Sequence, residues 1–459
     1  MSGYYNNLAI KSMDEFVYGR CPFPVTAGTG VTFGDGTVIP EINFTLPMMD
    51  INENTWPEVR SQYEQIITGV LERAIALEVP GLLVELETLP PMTVNPAWGA
   101  EITRILADHL KDANDKYGLK GALRLTPNDT REHERPPHMR SGQYWDSMVQ
   151  LFSLAAENGA DMIAIESTGG KEINDTGLMN ADLRQVVFAL GVLAPRDMAF
   201  LWGEIVRTCK TGGIIPAGDT ACGFGNTAMV LAEQKMLPRT FAAVVRVATV
   251  PRGLVAYEQG ARGPSKDCAY EGPYMKAIYG VPISMEGHTA ACAHLSAVGN
   301  ISQAVCDCWS NESVQNVRLL SAYAPTVSME QLAYDCRLMN TAATTEGGAK
   351  QLRDWLTQSD AALDPQAHVL RPDVVLKLSS EIMQESSAYS RVRRAVLATL
   401  AELKRAIEAD EVKIPATEKR WVDRLQRQAD TLPDSEDNFI SEMKEELADA
   451  PYLPEEYGI

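Results

Sequence analysis

Short apolar runs rich in β-branched residues alternate along the chain with longer stretches in which apolar positions recur at helical spacing. The runs Val38–Phe44, Gly81–Leu86, Lys120–Leu125, Asp161–Ser167, Gly213–Ala217, Ala242–Val250 and Pro282–Glu286 predict strands, with a weaker one at Arg318–Tyr323. Helical spacing predicts Trp56–Ala76, Trp98–Lys116, Gln143–Asn158, Ala181–Leu193, Asp197–Lys210, Asn226–Leu237, Ala290–Asp307 and Met329–Ala342. A further helix, Lys266–Tyr279, is broken or kinked at Pro273. Eight strands, each followed by a helix, describe an α/β fold of the (β/α)8 TIM-barrel type; an open doubly wound sheet is the alternative. No G-x-G-x-x-G follows the first strand, which weakens a dinucleotide-binding reading. Beyond Leu370 the pattern is helical only: Ser390–Glu408, Thr417–Asp430 and Asn438–Leu447, punctuated by Pro415, Pro433, Pro451 and Pro454. The division predicted is a barrel with its N-terminal segment over 1–370 and a helical extension with an acidic tail over 371–459.

Charge narrows the partners. The 459 residues carry a net charge of −20, and neither nucleic acid nor an anionic membrane surface suits so acidic a chain. The segment Asp430–Ile459 is acid-rich, with Lys444 its sole lysine or arginine, and reads as a solvated or docking tail. The N-terminus lacks the apolar core of a signal peptide, and no run of about 18 apolar residues predicts a membrane span. The 8 cysteines do not have the spacing of a compact disulfide framework, which predicts a reducing, cytoplasmic setting.

In a barrel the C-terminal strand ends hold the chemistry. There the predicted strands present Glu85 and Glu87, then Glu166, then Asp219 and Cys222, then Cys268, and finally Glu286 and His288. Taken singly, Glu166 could pair with Lys171 or cap a helix, and Cys222 could be a small buried hydrophobe. Cys268 follows Lys266 near a predicted helix start, a setting that favours thiolate. Jointly, two thiols and a carboxylate from successive strand ends form three ligands with a fourth position open, the arrangement of catalytic zinc. Asp219 is a candidate for supporting the ligands from behind. Glu286, His288, Cys292 and His294 form a weaker candidate for a second metal site. Cys306 and Cys308, at the end of a predicted helix, read as core packing.

Several stretches carry a family likeness: "IESTGGKE", "GDTACGFGNT", "GPSKDCAYE", "MEGHTAACAHL", "CDCWSNESV" and "LAYDCRLMNTA", with "PEINF" and "NPAWGAE" nearer the front. Together they resemble the zinc-dependent methanol:corrinoid methyltransferases of methanogens and acetogens, from about Val38 to the closing "EEYGI". The resemblance implies a barrel binding one Zn²⁺ through Glu166, Cys222 and Cys268. It also implies a dimeric catalytic subunit working beside a corrinoid (cobalamin) protein, with the methyl group of methanol passing to Co(I). One departure is Phe224, where a more polar stretch is expected, so Phe224 is expected to reshape the substrate pocket. Another small alcohol, a methyl ether, or a thiol as methyl acceptor are the alternative substrates, and a barrel that serves only as a scaffold is the non-enzymatic one. Two thiolates and a carboxylate outweigh the charge of Zn²⁺, so a proton donor for the departing oxygen is expected, with Asp219, Glu85 and Glu87 as candidates.

Overall fold

The computed structural model describes residues 8–46, 49–288, 296–314 and 323–459. Its first strands, β1 (Arg20–Ala27) and β2 (Val31–Asp35), form an antiparallel hairpin that the sequence reading missed. The signal for it was present in the Gly28–Thr29–Gly30 turn between Val/Phe-containing runs. The strands β3 (Ile39–Thr45), β4 (Leu82–Thr88), β5 (Gly121–Pro127), β6 (Met162–Ile165), β7 (Ile215–Asp219), β8 (Ser284–Glu286) and β9 (Cys308–Val314) form one parallel sheet in the order β7-β6-β5-β4-β3-β9-β8. The gap between β7 and β8 is filled by an irregular stretch. The amides of Arg262 and Gly263 donate to Pro216 and Ala217 of β7, and Ser265 and Asp267 accept from Ser284 and Glu286 of β8. With that stretch in the sixth place the barrel closes.

The predicted sixth strand, Ala242–Val250, is therefore a correction. Its residues 242–248 lie in the helix Arg239–Ala248, buried at every position from Thr240 onward, and Val250 opens the next helix, Val250–Gln259. A helix covered on all sides, here partly by the C-terminal helix Ala388–Glu408, shows no polar stripe and reads like a buried strand. The eighth strand is likewise β9, within the stretch read as a helix end. Of the predicted Arg318–Tyr323, all but Tyr323 lies outside the described residues, as do 290–295 of the predicted helix Ala290–Asp307. In the described part of that stretch, Gly299–Gln303 is helical. The predicted helices Ala181–Leu193 and Asp197–Lys210 are one helix, Leu183–Gly212, which passes through a π-type turn at Ala189–Leu193 just before Pro195. That helix is long and apolar enough to cross a membrane, yet 78% of its most apolar window is buried within the fold.

The two ends of the barrel are built differently. At the N-terminal ends of the strands the β1–β2 hairpin acts as a plug. Ala27, Val31 and Phe33 pack on Ile39, Leu83, Ala122, Met162 and Cys308, and Thr29 bonds Gly121. The C-terminal helices Pro372–Ile382, Ala388–Glu408, Ala416–Ala429 and Glu436–Glu446 share one continuous apolar core with the barrel helices. The acidic tail is held by its own chain: Glu436 pairs with Arg196 and Glu442 with Arg184, while Phe439 packs on Phe188 and Tyr389.

Candidate metal centre

The barrel interior is polar and layered. In the lower layer Arg124 of β5 reaches Glu41 of β3 and Glu85 of β4, with Glu85 Oε2 at 3.2 Å. Ser284 and Ser310 donate to Glu41, and Thr126 donates to Glu85. All of these side chains are buried. Burial pushes the Glu85 carboxyl up, but Arg124 and Lys266 outweigh it and hold it below the ordinary range.

One layer higher, Lys266 projects from the irregular sixth stretch into a ring of carboxylates. Its Nζ lies 2.9 Å from Glu87, 3.2 Å from Glu166 and 3.9 Å from Glu286. Burial alone would lower its pKa, yet Glu87, Glu166 and Glu312 raise it well above that of an ordinary lysine. Glu166 is pushed up to about 7 by burial, with Lys266 opposing and Glu87, Glu85 and Glu312 reinforcing.

Beside this ring stand Cys222 and Cys268. Potential ligand atoms of Glu166, Cys222 and Cys268 all lie within 4.8 Å of one another, and among the described residues they form the one such group. Cys268 Sγ lies 3.5 Å from Glu166 Oε1, and Asn226 Nδ2 donates to Cys222 Sγ at 3.5 Å. The hydrogen bond to Cys268 pulls the Cys222 thiol down, but burial and Glu166 leave it pushed up to about 11. Cys268 is also raised, by burial and then by Cys222 and Glu166. The expected lowering of Cys268 by a helix N-terminus does not occur. The helix begins only at Gly272, with Pro273 in its first turn rather than at a kink. A cation supplied between these donors would reverse the balance, because thiols and a carboxyl crowded out of water favour their neutral forms until a positive charge faces them. The donor set, sulfur and oxygen from three separate segments with no fourth protein ligand among the described residues, fits zinc with an open position.

The supports behind the ligands are dense. Asp219 accepts from Trp202 Nε1 at 2.9 Å, Arg252 Nη2 at 2.7 Å and Ser167 N at 3.4 Å, so both its oxygens are engaged. Thr220 contacts Cys268 Sγ at 3.9 Å, and Glu271 accepts from Ala221 N at 2.7 Å. Phe224, expected to reshape the substrate pocket, is packed inward behind the Cys222 turn. Its ring is fully buried beneath the Arg252 guanidinium, 4.9 Å away. Of the weaker second-site candidates, Glu286 faces Lys266 and His288 lies 3.7 Å from Asp335. The other two, Cys292 and His294, lie outside the described residues. Cys306 and Cys308 are buried, with Cys308 facing the barrel floor.

The family model of the methanol-cobalamin methyltransferase B subunit (MtaB) matches residues 2–458. The chain belongs to that family. It is 36% identical over 462 residues to the methanol–corrinoid protein co-methyltransferase of Methanosarcina barkeri (strain Fusaro / DSM 804), covering 99% of both chains. It also superposes with a TM-score of 0.94 and 35% identity on a chain of the crystal structure of the methanol:cobalamin methyltransferase complex MtaBC from Methanosarcina barkeri, with 99% of each chain covered. For this MtaB-family chain, sequence reasoning placed Glu166, Cys222 and Cys268 together but missed Glu312 and Asn226. Glu312 sits on β9, the strand mistaken for a helix end. Asn226 lies one helical turn after Cys222, a spacing that could have disclosed it.

Proposed function

We propose that this chain transfers the methyl group of methanol to the Co(I) corrinoid of a partner protein, with Glu166, Cys222 and Cys268 holding one Zn²⁺. The observation that carries this reading is the convergence of those three side chains at the open end of the barrel in an MtaB-family chain. Bound there, zinc supplies Lewis acidity, which lowers the cost of releasing the alcohol oxygen with negative charge. Arg252 and Asp219 fix the turns that carry Glu166 and Cys222, and Asn226 orients the Cys222 sulfur. Lys266 holds Glu166 and Glu87 side by side and offsets the negative charge of the donor set. Of the three proton-donor candidates, Asp219 and Glu85 are engaged by arginines, while Glu87 stands 21% exposed at the rim. The Glu87–Lys266 pair is where we place the proton for the departing oxygen. The flat corrinoid of the partner covers the mouth and excludes water from it. The proposal includes a homodimer of this chain and a cytoplasmic setting that keeps the free thiols reduced.

The test is spectroscopic. Zinc-loaded protein, the corrinoid partner in its Co(I) state and methanol should give the methyl–cobalt spectrum, with ethanol much slower. Conversion of a thiol with methylcobalamin, but none of methanol, would replace this reading with thiol methylation.

A further inference from the structure

The loop that follows Glu166 has its backbone amides tied to side chains from remote parts of the chain. Ser167 N donates to Asp219, and Thr168 N donates to Asp129 Oδ2 at 2.9 Å. Gly170 N donates to the phenol oxygen of Tyr457 at 3.0 Å, across 287 residues. Gly170 has φ +83°, so this corner of the backbone depends on glycine and on an external acceptor. The same phenol donates to Glu172 Oε1 at 3.3 Å, and Tyr457 is 1% exposed. Its neighbour Glu456 accepts from Arg140 N at 2.7 Å and Ser141 Oγ at 3.4 Å, and lies 3.6 Å from His138. The segment around Pro454–Tyr457 therefore joins two rim loops, the one after β5 and the one after β6. The second loop leads directly to Lys171, whose aliphatic stem lies against Gly223, beside Cys222.

We propose, on the zinc reading given above, that Tyr457 and Glu456 are positioning residues of the metal centre: a strap that sets the Glu166 loop and, through Lys171, the Cys222 turn. Neither residue reaches the ligand atoms. The strap acts by removing freedom from the backbone that carries them. Ordering a ligand before the metal arrives is what supporting groups contribute, and losing such a group typically costs ~10–100-fold in metal affinity. The phenol also satisfies a backbone donor that is otherwise buried without a partner.

The experiment compares the full chain with Tyr457→Phe and with a form truncated after Leu453. Amide hydrogen exchange of residues 167–172 and zinc release to a chelator are both followed. Tyr457→Phe keeps the ring packing and removes only the hydroxyl, so it remains informative if the truncated form folds poorly. The expected result is faster exchange at Gly170 and about tenfold weaker zinc retention in Tyr457→Phe, with a larger loss on truncation. Unchanged exchange and unchanged zinc retention in Tyr457→Phe would overturn the proposal. If the unaltered chain itself fails to hold zinc, the ligand assignment falls; faster exchange at Gly170 in Tyr457→Phe would still uphold the strap as the device that sets the loop, and unchanged exchange would overturn it too.

Discussion

Two layers of the barrel interior each set glutamates against one buried cation and behave differently. The lower layer sets Glu41 and Glu85 against Arg124 and adds hydroxyl donors from Ser284, Ser310 and Thr126. The upper layer sets Glu87, Glu166, Glu286 and Glu312 against a single Lys266 and adds two thiols. The lower layer sets two carboxylates against one guanidinium and is sealed from water, so its charges serve the fold. The upper layer has a surplus of donors and negative charge at the open end, a composition that costs stability unless a cation joins it. In a TIM barrel this is the usual separation of a stabilising floor from a functional rim.

The comparison breaks most visibly at the ligands. Cys222→Ala, Cys268→Ala and Glu166→Gln should each lose stoichiometric zinc and cut methyl transfer by about 10³-fold or more, since Lewis acidity is worth several kcal/mol. Metal analysis and the methyl–cobalt spectrum check this, and all three variants should still fold. Arg124→Met should do the reverse. It strands two buried carboxylates and should cost about 3–5 kcal/mol of stability, read from a denaturant midpoint. If Arg124→Met lowers zinc retention at unchanged stability, the two layers are not separate.

Lys266 tests which layer a buried cation belongs to. Lys266→Met should leave the barrel folded and zinc bound but lower methyl transfer by roughly 10–100-fold, with partial rescue in Lys266→Arg. Metal content set against turnover distinguishes this from a structural role. Collapse of the fold comparable to that of Arg124→Met would move Lys266 into the lower layer.

How far these layers were legible in the sequence depends on what each element hides. Glu166 and Cys222 follow apolar strands at glycine-containing turns, so their place at the rim could be read directly. Cys268 was found although its strand was assigned wrongly. The irregular Arg262–Asp267 stretch carries Gly263, Pro264 and charged residues, and it lacks strand periodicity because its inward side chains are polar. For the same reason β9, with Ser310 and Glu312 turned to the interior, was taken for the end of a helix. The opposite error arose at Arg239–Ala248, where burial on every side erased the helical stripe. Of the lower layer only Glu85 was singled out, and as a rim residue, because an Arg–Glu contact between strands has no local sequence signature. The strap could not be read, since Tyr457 meets Gly170 only through the fold.

The smallest effect expected concerns Glu172, a largely buried acid on which the cationic influence of Arg135 is a minor one. Arg124 holds Glu85 below the ordinary range despite burial, whereas burial pushes Glu172 up to about 7, and the Tyr457 hydrogen bond only partly opposes it. At low pH the folded and unfolded chains both keep the Glu172 proton, and there is no difference between them. From the ordinary value of 4.5 up to about 7 the unfolded chain loses it first, so stability falls as pH rises. Above that range the penalty is constant, at most about 3.4 kcal/mol from the conversion of 1.36 kcal/mol per unit. Glu172→Gln keeps the acceptor for Tyr457 and removes the titration. It should therefore be more stable than the unaltered chain at about pH 8 and nearly equal to it at about pH 5, measured by urea midpoints. A gain that is the same at both pH values would mean that Glu172 is ionised in the fold, and that charge balance does not separate it from Glu85.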